Sequence, residues 1–160
     1  MANHLRLFHK SGVLLSAAVC ILVFSASSFA VEILKSSQSE FVRQGQSVKA
    51  QVNLFSDGSI LATMTLTNDA DMGVLCGVAY FAIKDKKGSI LEVHKIPKEC
   101  VGKTSSTEEP IVENVPWEGK VENKQTLQEA AAIVIKCYDN ANDPERLLGV
   151  KIHSIKEIFE

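Results

Sequence analysis

Between residues 47 and 68 the chain alternates apolar and polar side chains with a period of two. In "SVKAQVNLF", Val48, Ala50, Val52 and Leu54 share one face, while Lys49, Gln51 and Asn53 share the other. After "SDGS", the stretch "ILATMTLTN" repeats the pattern, with Ile60, Ala62, Met64 and Leu66 opposite Thr63, Thr65 and Thr67. A two-residue period marks a strand with one buried face, and Asp-Gly between two such runs signals a hairpin. A second hairpin is predicted from about Val74 to Lys84, through "DKKG", and back as "SILEVHKI" to Pro97.

Residues 97–110, "PKECVGKTSSTEEP", show no alternation and are expected to form a long surface loop. "IVENVPWEGKV" is expected as a broken edge strand, because Pro116 has no N–H to give a ladder. "TLQEAAAIVIKCY" opens with helix formers and ends β-branched. Strand is expected from Ala130 onward, with Ile133, Ile135 and Cys137 on the core face. "DNANDPE" is a turn cluster, and "LLGVKIHSI" is expected as a last strand with Leu148, Val150 and Ile152 inward. About seven strands with short turns and no convincing amphipathic helix imply an all-β, immunoglobulin-like (fibronectin III-like) antiparallel sandwich.

The segment "TLTNDADMGVLCGVAYFAIKDKKGSIL" carries a resemblance. Thr67-Asn68, then Ala79, Phe81, Ile83, Asp85 and Gly88, resemble the FxLyD-type module, an immunoglobulin-like domain of exported bacterial proteins. Ile83 stands where that family prefers Phe, and Lys84 where it prefers Tyr. Over residues 60–137 the resemblance implies a fold and a compartment, and no function.

The first thirty residues have the layout of a cleavable secretory signal. Arg6 and Lys10 precede an apolar stretch of about 16 residues, and Ser28 and Ala30 supply the small residues for cleavage after Ala30. That stretch is short of the roughly 20 residues a membrane span needs. Val19 sits where a lipoprotein signal at Cys20 would need a small residue. Residues 31–46 are expected as a mobile lead-in with a short edge strand, and 47–160 as a single domain, with no membrane span after cleavage. Without the signal the charge changes from −2 to 15 minus 19, or −4, with no basic stripe. Nucleic acid is therefore not an expected partner, and the expected location is periplasmic or secreted.

Export leaves three cysteines in an oxidising compartment, where a disulfide is the default use of a pair. A turn at "DKKG" would oppose Ile83 to Leu91, Phe81 to Val93, Tyr80 to His94 and Val78 to Ile96. Cys76 and Cys100 then fall at diagonal positions on one face, and Pro97 could bend the chain to close the gap. The expected bridge is Cys76–Cys100, with Cys137 a buried free thiol; Cys100–Cys137 is the alternative.

No catalytic residue is expected. Cys137 and His153 would sit about 17 Å apart at strand rise, on opposite faces. His94, Cys76, Cys100 and Glu99 lack the spacing of a zinc site, and Asp139, Asn142, Asp143 and Glu145 lack that of an EF-hand loop. Glu108 and Glu109 are most simply solvated charge. No metal, cofactor or small-molecule ligand is therefore expected. In the register above, Val78, Tyr80, His94, Ile96, Val134 and His153 would form an outer sheet face more apolar than solvent should see. Either the 97–118 loop, with Trp117 and Ile111, covers that face, or it binds a partner through Tyr80 and Trp117. The expected function is an exported, non-catalytic module that binds a protein, as an inhibitor, immunity factor or envelope accessory. A metal-binding or enzymatic envelope protein is the alternative.

Overall fold

The computed structural model describes residues 31–35, 39–69, 73–105, 109–149 and 152–160. The signal segment, Met72, Glu108, Val150, Lys151 and the side chain of His153 lie outside the described residues. Two alternating runs form β3 (Gln46–Phe55) and β4 (Ser59–Asn68), paired antiparallel from Gln46 opposite Asn68 to Leu54 opposite Ile60. Asp57 caps their turn, its Oδ1 accepting from the Ser59 N–H at 2.9 Å and the Ser59 hydroxyl at 2.6 Å. β1 (Glu32–Lys35) and β2 (Ser39–Arg43) both pair with β3, and β7 (Ile111–Lys120) closes the other side against β4. Pro116 thus lies in an edge strand, where a proline is tolerated.

The second sheet has the order β6-β5-β8, with β5 (Gly73–Lys84) between β6 (Ile90–Lys103) and β8 (Ala132–Asp139). Between the sheets lies one core. Val48, Val52, Leu54, Ile60, Met64 and Leu66 meet Leu75, Ala79, Phe81, Ile83 and Ile96, all at most 2% exposed. At Gly77 the layers approach too closely for a side chain. A Cβ there would stand 2.4 Å from Leu66 Cδ2 and 2.8 Å from Val48 Cγ2.

Three features differ from the sequence expectation. First, β6 does not stop at Pro97 but runs on to Lys103, so the expected 97–110 loop is largely strand. β6 is a sheet edge, where a proline is tolerated. Second, the hairpin register is not the expected one. Lys84 faces Ile90, but an extra residue at Leu91 shifts the pairing, so that Phe81 faces His94 and Ala79 faces Ile96. Such a bulge turns the following side chains to the other face. Third, the expected last strand is helical. α1 (Lys124–Glu129) precedes β8, and α2 (Pro144–Leu148) is followed by a 3-10 helix, Ile152–Phe159.

Asp143 explains α2. It is the N-cap, its side chain accepting from the Glu145 N–H; Pro144 occupies the first turn, and Gly149 ends the helix at φ 62°. Asp-Pro at the start and Gly just past the end form a helix signature that competes with the turn expected at 139–145.

Candidate functional site

β5 is buried on both faces. Phe81 and Ile83 fill the core, while Val78, Tyr80 and Ala82, each 0% exposed, point outward from the sandwich. That outer face is covered by the C-terminal segment. Phe159 is buried against Val78, Tyr80 and Ala82, with Ile158, Ile90, Val93, Val134 and Tyr138 packed around them. The cover is not the 97–118 loop, because that stretch is mostly β6 and β7.

The segment is held by its backbone as well as its side chains. Lys84 Nζ donates to the Phe159 carbonyl at 2.8 Å, and Lys136 Nζ donates to the Ile158 carbonyl. The Lys136 ammonium also lies 5.8 Å from the centre of the Phe159 ring, within cation–π range. On the other side Lys95 pairs with Glu145 and stands 5.4 Å from the Tyr80 ring centre. Tyr80 donates its hydroxyl to Asp143 Oδ1 at 2.6 Å, the same oxygen that caps α2 at 3.1 Å. Burial, reinforced by Asp143, raises the Tyr80 phenol well above its ordinary range. Tyr80 thereby joins the sheet to the start of α2.

This placement corrects the proposed interaction face. Val78, Tyr80 and Ile96 are inaccessible, and Val134 is half-buried beneath the C-terminal segment. The bulge at Leu91 puts Ile96 in the core and turns His94 to the inner side. There His94 stacks on Phe81 with ring centres 4.9 Å apart, and Trp117 of β7 meets both rings edge-on at 5.5 and 5.7 Å. Trp117 is therefore an internal packing residue, not an exposed anchor. Its indole lies over Gly119, where a Cβ would stand 2.2 Å from the ring.

His94 and Glu92 form a second polar spot, at the seam where β6 meets β7. His94 Nε2 lies 2.8 Å from Glu92 Oε1, but the ring N–H does not point at that oxygen, and among the described residues the nitrogen has no hydrogen-bond partner. Burial lowers the His94 pKa, against the raising effect of Glu122. Burial likewise raises that of Glu92, although the Glu122 backbone N–H stabilises its charge. Among the described residues, no group of three or more His, Cys, Asp or Glu side chains is arranged to hold a metal ion.

The remaining candidates resolve locally. Cys76 and Cys100 have their sulfurs 2.11 Å apart, and the buried Cys137 takes no part in a disulfide. Asp139 accepts from the Asn142 backbone and side chain at 2.9 and 2.6 Å, and pairs with Arg43 at 3.5 Å. Asp139 and Asp143 thus spend their oxygens on the turn and on α2. A concavity of about 690 Å³ opens at one pole, lined by Ile33, Gly58, Val121 and Leu127 with Lys120 and Lys124. Asp57 also lines it but is spent on Ser59.

Sequence reasoning missed Asp143, Lys84, Ile158 and Phe159. One signal was available. The run Val78–Ile83 has no polar residue on either face, as befits a strand covered on both sides. Compared with protein-family models, curated proteins and solved structures, the chain matches none.

Proposed function

We propose that the chain is an exported, non-catalytic β-sandwich module that acts by binding another protein, in an inhibitory, immunity or envelope-accessory role. The observation that carries this reading is the outer face of β5. Val78, Tyr80 and Ala82 form an apolar surface outside the sandwich core, and its cover includes a short 3-10 helix. An apolar face outside a domain core marks a place where a segment or a partner seats; here the chain's own Phe159 occupies it, so the face accepts an apolar ligand. The disulfide supports an oxidising compartment, and the charged n-region, apolar stretch and Ala30 support export to the periplasm or beyond. The likeness of residues 60–137 to FxLyD-type modules supports the same compartment.

The test is affinity capture from an envelope extract with the full exported chain as bait, then reconstitution with the purified captured protein. A complex of fixed stoichiometry is expected. Failure of every purified candidate to bind, together with turnover of a substrate by the chain alone, would overturn the reading. Export is checked by the N-terminal sequence of the protein recovered from cells, expected to begin at Val31.

A further inference from the structure

We infer that the outer face of the β6-β5-β8 sheet is an exchangeable docking groove, whose second occupant is the 152–159 segment of another copy of this chain. The inference rests on reading that face as a binding surface. The chain's own C-terminal segment shows what the groove accepts, an Ile158-Phe159 pair whose aromatic ring is buried against Val78, Tyr80 and Ala82. Every second copy carries that same pair. Exchange between copies reuses contacts already made, so it needs no new complementarity.

The way the segment is held favours exchange. It runs as a 3-10 helix for eight residues, although such helices seldom persist beyond three or four because their hydrogen bonds are poorly aligned. A conformation of low intrinsic stability is kept by docking, so it can leave without disturbing the strands. Among the described residues the hold includes the buried Phe159 ring, Ile158 packed beside it, and two lysine contacts, Lys84 to the Phe159 carbonyl and Lys136 to the Ile158 carbonyl. Upstream, α2 stays anchored through Asp143 to Tyr80, and Gly149 in the left-handed region offers a pivot just before the segment. An uncovered groove would expose Val78, Tyr80 and Ala82, so a departing segment must be replaced.

The test uses the full exported chain and a fluorescein-labelled peptide of residues 150–160. The Phe159→Ala chain, its own segment weakened, is expected to bind the peptide saturably in fluorescence anisotropy. The wild-type chain should bind at least about tenfold more weakly, because its tethered segment competes at millimolar effective concentration. A peptide carrying Phe159→Ala should bind neither. Sedimentation velocity of the wild-type chain should show a dimer growing with concentration, absent in Phe159→Ala. The inference is overturned if the folded variant ignores the peptide, if both peptides bind alike, or if wild type stays monomeric to about 1 mM. It is also overturned if Phe159→Ala loses its cooperative transition, since the segment would then belong to the folding unit. A foreign protein captured from the envelope while the peptide fails would sink exchange and leave the binding-module reading. Peptide binding without any captured partner would do the reverse.

Discussion

Cys76 and Cys100 stand directly opposite one another across β5 and β6, with Cα atoms 4.0 Å apart. They do so because β6 carries an extra residue beside them. Gly77 faces Glu99 and Ala79 faces Ile96, so Pro97 and Lys98 together oppose the single residue Val78. The bulges at Leu91 and at Pro97-Lys98 each advance the register by one, and together they convert the expected diagonal pair into a facing pair. Pro97 fits the irregular position because β6 is a sheet edge.

Joining residues 24 positions apart removes loop-closure entropy from the unfolded chain, worth about 3 kcal/mol. Cys76→Ser with Cys100→Ser should lower stability in urea by that amount. The Tm should fall by roughly 10 °C for a domain of this size. An unchanged urea midpoint under reduction would show that the bridge contributes nothing.

Trp117 is the single tryptophan, so its fluorescence reports one site. Gly119→Ala would drive a methyl into the indole, which must leave its place over residue 119. Overpacking of this kind costs about 1–3 kcal/mol. A red-shifted emission maximum is expected, together with loss of the edge-on contact to Phe81. Unshifted emission with full stability would refute the packing.

Tyr80→Ala should destabilise the domain by about 3–5 kcal/mol, because the ring is fully buried. Tyr80→Phe isolates the hydroxyl. Losing its bond to Asp143 should cost about 1–3 kcal/mol. Both tyrosines have raised phenol pKa values, chiefly through burial. A raised folded pKa means that stability is intact below the unfolded value of 10.0 and declines as pH climbs past it. Absorbance at 295 nm should therefore show Tyr80 un-ionised near pH 10 until the chain unfolds; normal titration of both phenols would contradict the burial.

His94 gives the acid-side counterpart. Its folded pKa lies below the ordinary 6.5 because burial disfavours the imidazolium. In that case the unfolded chain binds more protons, so stability falls as pH drops below about 6.5 toward the folded value. Glu92, raised by burial, has the opposite sign, but its contribution changes only near and above the ordinary carboxylate value of 4.5. The loss between pH 6.5 and the folded value should disappear in His94→Phe. An identical pH profile for that variant would place the titration elsewhere.

The inner faces of β3 and β4 were legible because strict alternation leaves one answer for each residue: Val48 to Leu54 and Ile60 to Leu66 face the core. Phe81 and Ile83 were legible for the same reason. The facing register of β6 was not, because Leu91 and the Pro97-Lys98 pair each insert a residue without changing composition. Parity after a bulge depends on where the bulge falls, and His94 and Ile96 changed sides accordingly. The end of the chain was misassigned for another cause. "LLGVKIHSI" suits a strand by residue type, yet Asp143, Pro144 and Gly149 cap a helix, and local capping outweighs β-branched preference.

Alternation and turn residues were thus enough, without any tertiary information, to dictate two antiparallel layers and most of their shared interior. They could not say which outward-facing side chains would stay wet. Tyr80 looks like an exposed anchor until Asp143, sixty-three positions later, accepts its hydroxyl and Phe159 closes over it. Burial of a sheet's outer face depends on segments distant in the chain, and no local pattern encodes their arrival.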